Sequence, residues 1–208
     1  MMRRAGRAIR LLLVLGLVGA SPAYGQDLEG VARTDLPPPG FGTLRQEDAS
    51  VTLQTATVEI QLLFLDERVI RLLATDTYDA LHRLAETRAD SVDSVARRYG
   101  LRDPTLVLVT FFGRQDRARF EPEILTVVSQ NRLFRPIEIL PVSPIWNGRQ
   151  LNQRETAAAV YVFGDGIRVL DPLTVSYGQV ESDVWERVVR LLDRERSSVF
   201  ARAARRIP

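Results

Sequence analysis

Between Pro104 and Gly178 the chain is a series of short apolar segments separated by turn residues, and this pattern constrains the fold most. The segment TLVLVTFF is apolar at successive positions, which is typical of a central strand covered on both faces. EILTVVSQ, LFRPIEILPV, TAAAVYVFG and IRVLDPLTVSYG follow it. Asp165–Gly166, between the last two segments, predicts a hairpin turn. Because short connections favour antiparallel pairing, the region of about 104–178 is predicted to form antiparallel β-structure.

Helical patterns flank this β region on both sides. Before it, VEIQLLF alternates with the period of a strand, with a bend expected near Thr55–Ala56. Apolar residues at three- and four-residue steps then predict a helical insertion over about 66–100, which Gly100 closes. A C-terminal helix is predicted over about 182–206, with Ser182 as its N-cap. The predicted fold class is therefore α+β. Its β part is expected to be an antiparallel β-sandwich of immunoglobulin-like architecture, with the helical insertion after the first strand and a C-terminal helix.

The first 50 residues are predicted to lie outside the domain, which would span residues 51–208. Residues 1–25 combine four arginines, the apolar run LLLVLGLVGA and small residues before Gln26, which is the pattern of a cleaved signal peptide. The apolar run is about half the length that a membrane-spanning helix requires. Residues 26–50 contain PPPGFG and few large apolar side chains, so they are predicted to be a Pro/Gly-rich flexible tether.

Removal of the signal peptide on export would change the net charge of the chain and reduce the classes of partner that it can bind. Removal of residues 1–25 takes away four of 28 basic residues and none of the 26 acidic ones, so the net charge goes from +2 to −2. A mildly acidic chain lacks the basic excess that nucleic-acid binding requires. We therefore expect a secreted or periplasmic protein with no nucleic-acid partner and no transmembrane segment in the mature chain.

Composition also excludes several kinds of chemistry. There is no cysteine, which excludes disulfides, thiolate nucleophiles and cysteine-ligated zinc. All 28 basic residues are arginine, which excludes a Schiff-base lysine. The single histidine, His82, lies within a predicted helix, and no G-x-S-x-G or phosphate-binding loop is present. We therefore predict no catalytic residues, no metal site and no cofactor.

Two segments are candidates for partner binding. The first is TFFGRQDRARFEPEIL, and residues 101–154 around it hold eight arginines against five acids. The arginines Arg114, Arg117 and Arg119, together with Arg132 and Arg135, could face an acidic partner or the acidic helical insertion. Alternatively, they are solvated or paired internally with Asp116, Glu121 and Glu123. The second is PIWNGRQLNQRE, in which Trp146 precedes the turn dipeptide Asn147–Gly148. Trp146 either anchors a partner at a loop tip or folds back over the edge of the sandwich.

These observations favour recognition over catalysis. We expect an exported, non-enzymatic module that binds an envelope or extracellular protein or supports envelope assembly. An acid/base hydrolase acting on an envelope polymer is the first alternative, because scattered carboxylate pairs could converge in one cleft. A small-ligand carrier with a cavity between helix and sheet is the second.

Overall fold

Two antiparallel sheets and a C-terminal helix organise the protein, as a computed structural model that describes residues 36–206 shows. The predicted mixture of helix with antiparallel sheet is confirmed. The strands in this range are β1 Val51–Gln54, β2 Val58–Phe64, β3 Thr105–Gly113, β4 Ala118–Arg119, β5 Leu125–Ser129, β6 Arg132–Phe134, β7 Glu138–Pro141, β8 Gln150–Leu151, β9 Thr156–Phe163, β10 Leu173–Tyr177 and β11 Val180–Ser182. The helices are α1 Glu67–Ile70, α2 Thr75–Tyr99 and α3 Trp185–Arg206, with short 3-10 helices at Gln46–Ala49, Pro122–Ile124 and Pro144–Gly148.

The larger sheet has the order β1-β2-β3-β9-β7 and the smaller one the order β11-β10-β5-β6, while β4 and β8 form a separate ribbon. All strand pairs are antiparallel. In the larger sheet Phe111 lies opposite Ile60 on one side and Ala157 on the other. Residues directly opposite each other share a face, so this register places one set of apolar side chains on a single side of the sheet.

The buried faces of both sheets belong to one hydrophobic core. In β3 the odd-numbered positions from Val107 to Gly113 are buried and the even-numbered ones are partly exposed. The opposite face of this sheet is covered by α2, whose Val92 and Val95 pack with Val162. Trp185 of α3 is fully buried, and its ring centroid lies 4.7 Å from that of Phe64. Each large side chain buried in this way stabilises the fold by roughly 1.5–3 kcal/mol.

The predicted bend at Thr55–Ala56 is a hairpin turn between β1 and β2. The hydroxyl of Thr55 accepts hydrogen bonds from the N–H of Thr57 at 3.3 Å and of Val58 at 3.0 Å. A threonine hydroxyl can thus close a turn that has no Gly or Asn. Because this turn divides the predicted first strand into β1 and β2, the helical insertion follows the second strand and not the first. The insertion consists of two helices, α1 and α2.

The hairpin predicted at Asp165–Gly166 is wrong. The strands on either side belong to different sheets, since β9 pairs with β3 and β7 whereas β10 pairs with β5 and β11. The carboxylate of Asp165 instead accepts hydrogen bonds from the N–H groups of Arg102 and Asp103, both at 2.9 Å. These long-range bonds hold the connection as a crossover between the two sheets.

The two ends of the domain also differ from the predicted boundaries. Residues 36–50, predicted as part of a flexible tether, pack on the domain, with Leu44 buried and bridged to Leu73. Ser182 is the last residue of β11, and α3 begins at Trp185. The signal peptide and residues 26–35 of the tether lie outside the described residues. Within residues 36–206, no helix carries an apolar stretch of the length that a membrane crossing needs.

Candidate partner-binding surface

Two loops meet where β3 ends and β9 begins, and they carry most of the arginines singled out above. The N–H of Gly113 donates to the carbonyl of Glu155 at 2.9 Å, and the N–H of Arg154 donates back to the carbonyl of Gly113 at 2.8 Å. Gly113 is required here, because a Cβ atom would lie 2.1 Å from the carbonyl oxygen of Asn152. The N–H of Gln153 also donates to Asp116 at 3.1 Å. The segments 114–119 and 150–155 are therefore held together by this hydrogen bond and by the pairing of β4 with β8.

Arg114 ties these loops to the first hairpin. Its Nη1 donates to the carbonyl oxygen of Thr55 at 2.7 Å, and its backbone N–H donates to the carbonyl of Thr57 at 2.9 Å. The guanidinium of Arg114 thus binds a neutral carbonyl rather than a carboxylate, so its charge is not offset by an ion pair.

Arg117, Arg119 and Arg154 are exposed, and within residues 36–206 none of them forms an ion pair or a side-chain hydrogen bond. The contrast is Arg149, which is also exposed but pairs with Glu123 through both terminal nitrogens, at 2.5 and 3.1 Å. We call the surface formed by Arg114, Arg117, Arg119 and Arg154 the arginine end. Guanidinium groups in such a surface can form bidentate contacts with carboxylates of another molecule.

The backbone of this surface is unusual. Five non-glycine residues in the described range have positive φ angles. Gln130 and Asn131 form the tight turn between β5 and β6, where such angles are ordinary. The other three are all arginines of these loops or of the adjoining turn, namely Arg117 at 55°, Arg149 at 48° and Arg154 at 67°. The left-handed conformation costs a side-chain-bearing residue about 1–2 kcal/mol, so arginine occupies positions that Gly or Asn would fill at lower cost.

Replacing Arg154 with asparagine should raise the free energy of unfolding by about 0.5–1 kcal/mol, because Asn tolerates positive φ better than arginine does. The matched control is Arg83→Asn on the exposed face of α2, where the same substitution should lower stability by a few tenths of a kcal/mol, roughly the difference in helix propensity. Urea titration of both variants measures these two values. Equal destabilisation of both would contradict a strained backbone at Arg154.

One of the two sequence interpretations placed Trp146 at an exposed loop tip, and the structure shows it buried instead. It is 5 % exposed and sits in the 3-10 helix Pro144–Gly148. Its ring lies 5.3 Å from that of Phe120, 5.7 Å from Phe111 and 6.1 Å from Tyr161, all in edge-to-face arrangements. Trp146 is thus part of a buried aromatic cluster with Phe111, Phe120 and Tyr161.

Arg135 is exposed but belongs to another part of the surface. It follows β6, and the next residue, Pro136, lines an open groove of about 460 Å³. The groove also contains Glu123 and Glu138, the arrangement that the hydrolase alternative requires. Each of these carboxylates is already paired with an arginine, Glu123 with Arg149 and Glu138 with Arg98 at 3.5 Å. The structure therefore does not join Arg135 to the arginine end, and it leaves neither groove carboxylate without a cationic partner.

His82 lies between two carboxylates on the surface of α2. Its Nδ1 is 2.7 Å from Glu67 and its Nε2 is 3.3 Å from Glu86, while Tyr78 stacks on the ring at 5.3 Å. Both ring nitrogens are thereby engaged by carboxylates, and no serine hydroxyl is among their contacts. Within residues 36–206, no three potential ligands from His, Asp and Glu are grouped so as to hold a metal ion.

The buried phenol of Tyr161, in the same aromatic cluster, is expected to make the protein less stable at alkaline pH. Burial raises the pKa of Tyr161 far above the ordinary value of 10.0, and burial also raises the pKa of Tyr177. A phenol with a higher pKa in the folded state contributes its full stabilisation below pH 10. Above about pH 10 this phenol ionises in the unfolded chain but stays protonated in the folded one, so the free energy of unfolding falls as the pH rises. The melting temperature should therefore fall as the pH rises above about 10.

The Tyr161→Phe variant should lose less stability over this alkaline interval, although it gives up the hydrogen bond to Pro122 (3.1 Å), worth about 1 kcal/mol at neutral pH. Tyr99→Phe is the control, since Tyr99 is half exposed. Thermal unfolding followed against pH gives the slopes. Identical slopes for wild type and Tyr161→Phe would contradict the role of this phenol.

Comparisons with protein-family models, with curated proteins and with solved structures gave no significant match. The candidate surface therefore stands on its geometry alone. Sequence patterns identified Arg114, Arg117 and Arg119, but they missed Arg154. Contacts between residues distant in the sequence, among them the hydrogen bond between Arg154 and Gly113, bring that residue to the same end of the molecule.

Proposed function

We propose that this protein is an exported, non-enzymatic binding module that recognises an acidic segment of an envelope or extracellular protein through its arginine end. The observation that carries the proposal is a set of three exposed arginines, Arg117, Arg119 and Arg154, that form no ion pair within residues 36–206. Their segments are tied together by the pairing of β4 with β8 and by the hydrogen bond from Gln153 to Asp116. Because the loops are tied down before binding, little conformational entropy is lost when a partner docks.

The backbone strain supports the same proposal. Arg117 and Arg154 occupy left-handed conformations that favour Gly or Asn. A strained residue at a surface position is expected where the side chain serves binding rather than stability. Export rests on the predicted signal peptide, and the domain that displays the surface is proposed to be a β-sandwich of immunoglobulin-like architecture. Two antiparallel sheets with a shared core support that architecture.

The test is affinity purification of the tagged protein from the envelope fraction of its native host. The wild type is compared with the triple variant Arg117→Gln, Arg119→Gln, Arg154→Gln. The matched control removes three exposed arginines elsewhere, with Arg83→Gln, Arg97→Gln and Arg102→Gln, and so changes the net charge equally. We expect the wild type and the control to retain one acidic protein in a salt-dependent manner, and the triple variant to lose it. Retention by the triple variant, or equal loss by the control, would contradict the proposal.

The hydrolase alternative makes a separate prediction that the same purified protein can test. Glu123 and Glu138 are the two carboxylates of the groove described above. If they act on an envelope polymer, the Glu138→Gln variant abolishes release of soluble fragments from isolated envelope. We expect no such release from the wild-type protein, because both groups are engaged by arginines.

A further inference from the structure

A second arginine cluster lies at the C-terminal end of α3, where the segment 40–43 contacts this helix. The N–H and hydroxyl groups of Thr43 both donate to Oε1 of Glu195 at 2.9 Å. Arg202 pairs with the same carboxylate, and its Nε donates to the carbonyl of Phe41 at 2.8 Å. Glu195 is only 9 % exposed, so these contacts fix the segment against the helix.

The remaining two arginines of the cluster lack acidic partners in the described range. Arg205 and Arg206 form no ion pair within residues 36–206, and the guanidinium of Arg206 lies over the ring of Phe41 at 5.3 Å. Arg202, Arg205 and Arg206 carry three positive charges and Glu195 carries one negative charge, which leaves a local charge of +2. The C-terminal end of a helix favours cations, and Arg205 and Arg206 lie in the last turn of α3.

The three arginines and the segment 40–43 line a hollow of about 280 Å³. The segment is fixed at Gly42, which packs directly on the backbone of residues 72–73 and bridges Ala74. The hollow is smaller than the pockets that enclose drug-sized ligands, so it suits a compact charged group. A phosphate monoester carries two negative charges and so matches this local charge better than a carboxylate does, and guanidinium donors bind its oxygens in a bidentate manner.

We propose that this hollow is a phosphate-binding site, with Arg205 and Arg206 as the principal ligands and Arg202 held in place by Glu195. The phosphate monoester belongs either to a small soluble molecule or to the headgroup of an anionic lipid. The site is independent of the arginine end, which uses other loops and another class of partner.

The first experiment is a titration of the ¹⁵N-labelled protein with inorganic phosphate, followed through the arginine Nε–H resonances. The resonances of Arg205 and Arg206 should shift and saturate, while that of Arg83 on α2 should not move. The Arg205→Gln, Arg206→Gln variant should bind phosphate at least about tenfold more weakly, and Arg83→Gln, Arg97→Gln should bind it as the wild type does. Absence of a saturable shift at Arg205 and Arg206 overturns the proposal, as does equal weakening in both variants.

A second arm distinguishes the two sources of phosphate. The protein is sedimented with phosphatidylcholine vesicles that either contain or lack phosphatidic acid. Sedimentation that depends on phosphatidic acid, competes with inorganic phosphate and is lost in Arg205→Gln, Arg206→Gln identifies a lipid headgroup as the ligand. Saturable phosphate binding without sedimentation identifies a soluble phosphate monoester.

Discussion

Replacing Trp146 with alanine is expected to lower the free energy of unfolding by about 3–5 kcal/mol, the cost of removing a large aromatic side chain from a packed core. Trp146 is 5 % exposed and contacts the rings of Phe111, Phe120 and Tyr161. Edge-to-face aromatic pairs of this kind add roughly 0.5–1.5 kcal/mol each beyond the apolar area that they bury. No collapse of the surroundings can fill the space, because β3 and β9 fix two of the three neighbouring rings.

Guanidinium chloride unfolding followed by circular dichroism measures this effect, and Leu133→Ala provides the control. Leu133 is 58 % exposed on β6, so its truncation should change stability by less than about 0.5 kcal/mol. A Trp146→Ala variant that loses partner binding while retaining full stability would instead show that Trp146 contacts the partner. That result would restore the exposed-anchor interpretation of this tryptophan.

Replacing Gly42 with alanine is expected to cost about 3 kcal/mol, the upper part of the range for overpacked sites. A Cβ atom at this position would lie 2.3 Å from the carbonyl carbon of Leu72 and 2.3 Å from the carbonyl oxygen of Leu73. Both are backbone atoms, so they cannot move aside by a change of rotamer. The segment before β1 must then leave its parallel contacts with residues 72–74.

The control for this substitution is Gly148→Ala, where a Cβ atom meets nothing within 4 Å and φ is not positive. It should change stability by less than about 0.5 kcal/mol. Hydrogen exchange locates the damage, since the amides of Leu44 and Ala74 bond across this contact at 3.1 and 2.8 Å. Those two amides should exchange faster in Gly42→Ala and remain protected in Gly148→Ala. Equal stability of both variants would contradict close packing at Gly42.

The parts of the fold that follow from local periodicity were predictable. Alternation in VEIQLLF identified β2, and the apolar stripe before Gly100 identified most of α2, whose last residue is Tyr99. Such patterns indicate which face of a helix or strand is buried, and they do so without information about the element that packs against that face. The C-terminal helix was predicted for the same reason, but its start was placed three residues too early, because Ser182 suits an N-cap as well as the end of a strand.

The features that escaped prediction depend on residues far apart in the chain. Asp165–Gly166 resembles a hairpin locally, and its role as a crossover is decided by bonds to Arg102 and Asp103. Likewise, nothing in PPPGFG shows that Thr43 will bind Glu195, 152 residues later. The left-handed conformation of Arg154 was also hidden, because neither Gly nor Asn occupies that position.

Contact between the arginine end and an acidic protein can be tested by site-specific photo-crosslinking in the native host. The crosslinking residue is placed at Gln115, which is exposed among the arginines, and in a second strain at Ser94, which is exposed on α2. We expect one covalent adduct with an acidic protein from Gln115, and none from Ser94. An adduct from Ser94 with none from Gln115 would contradict this expectation.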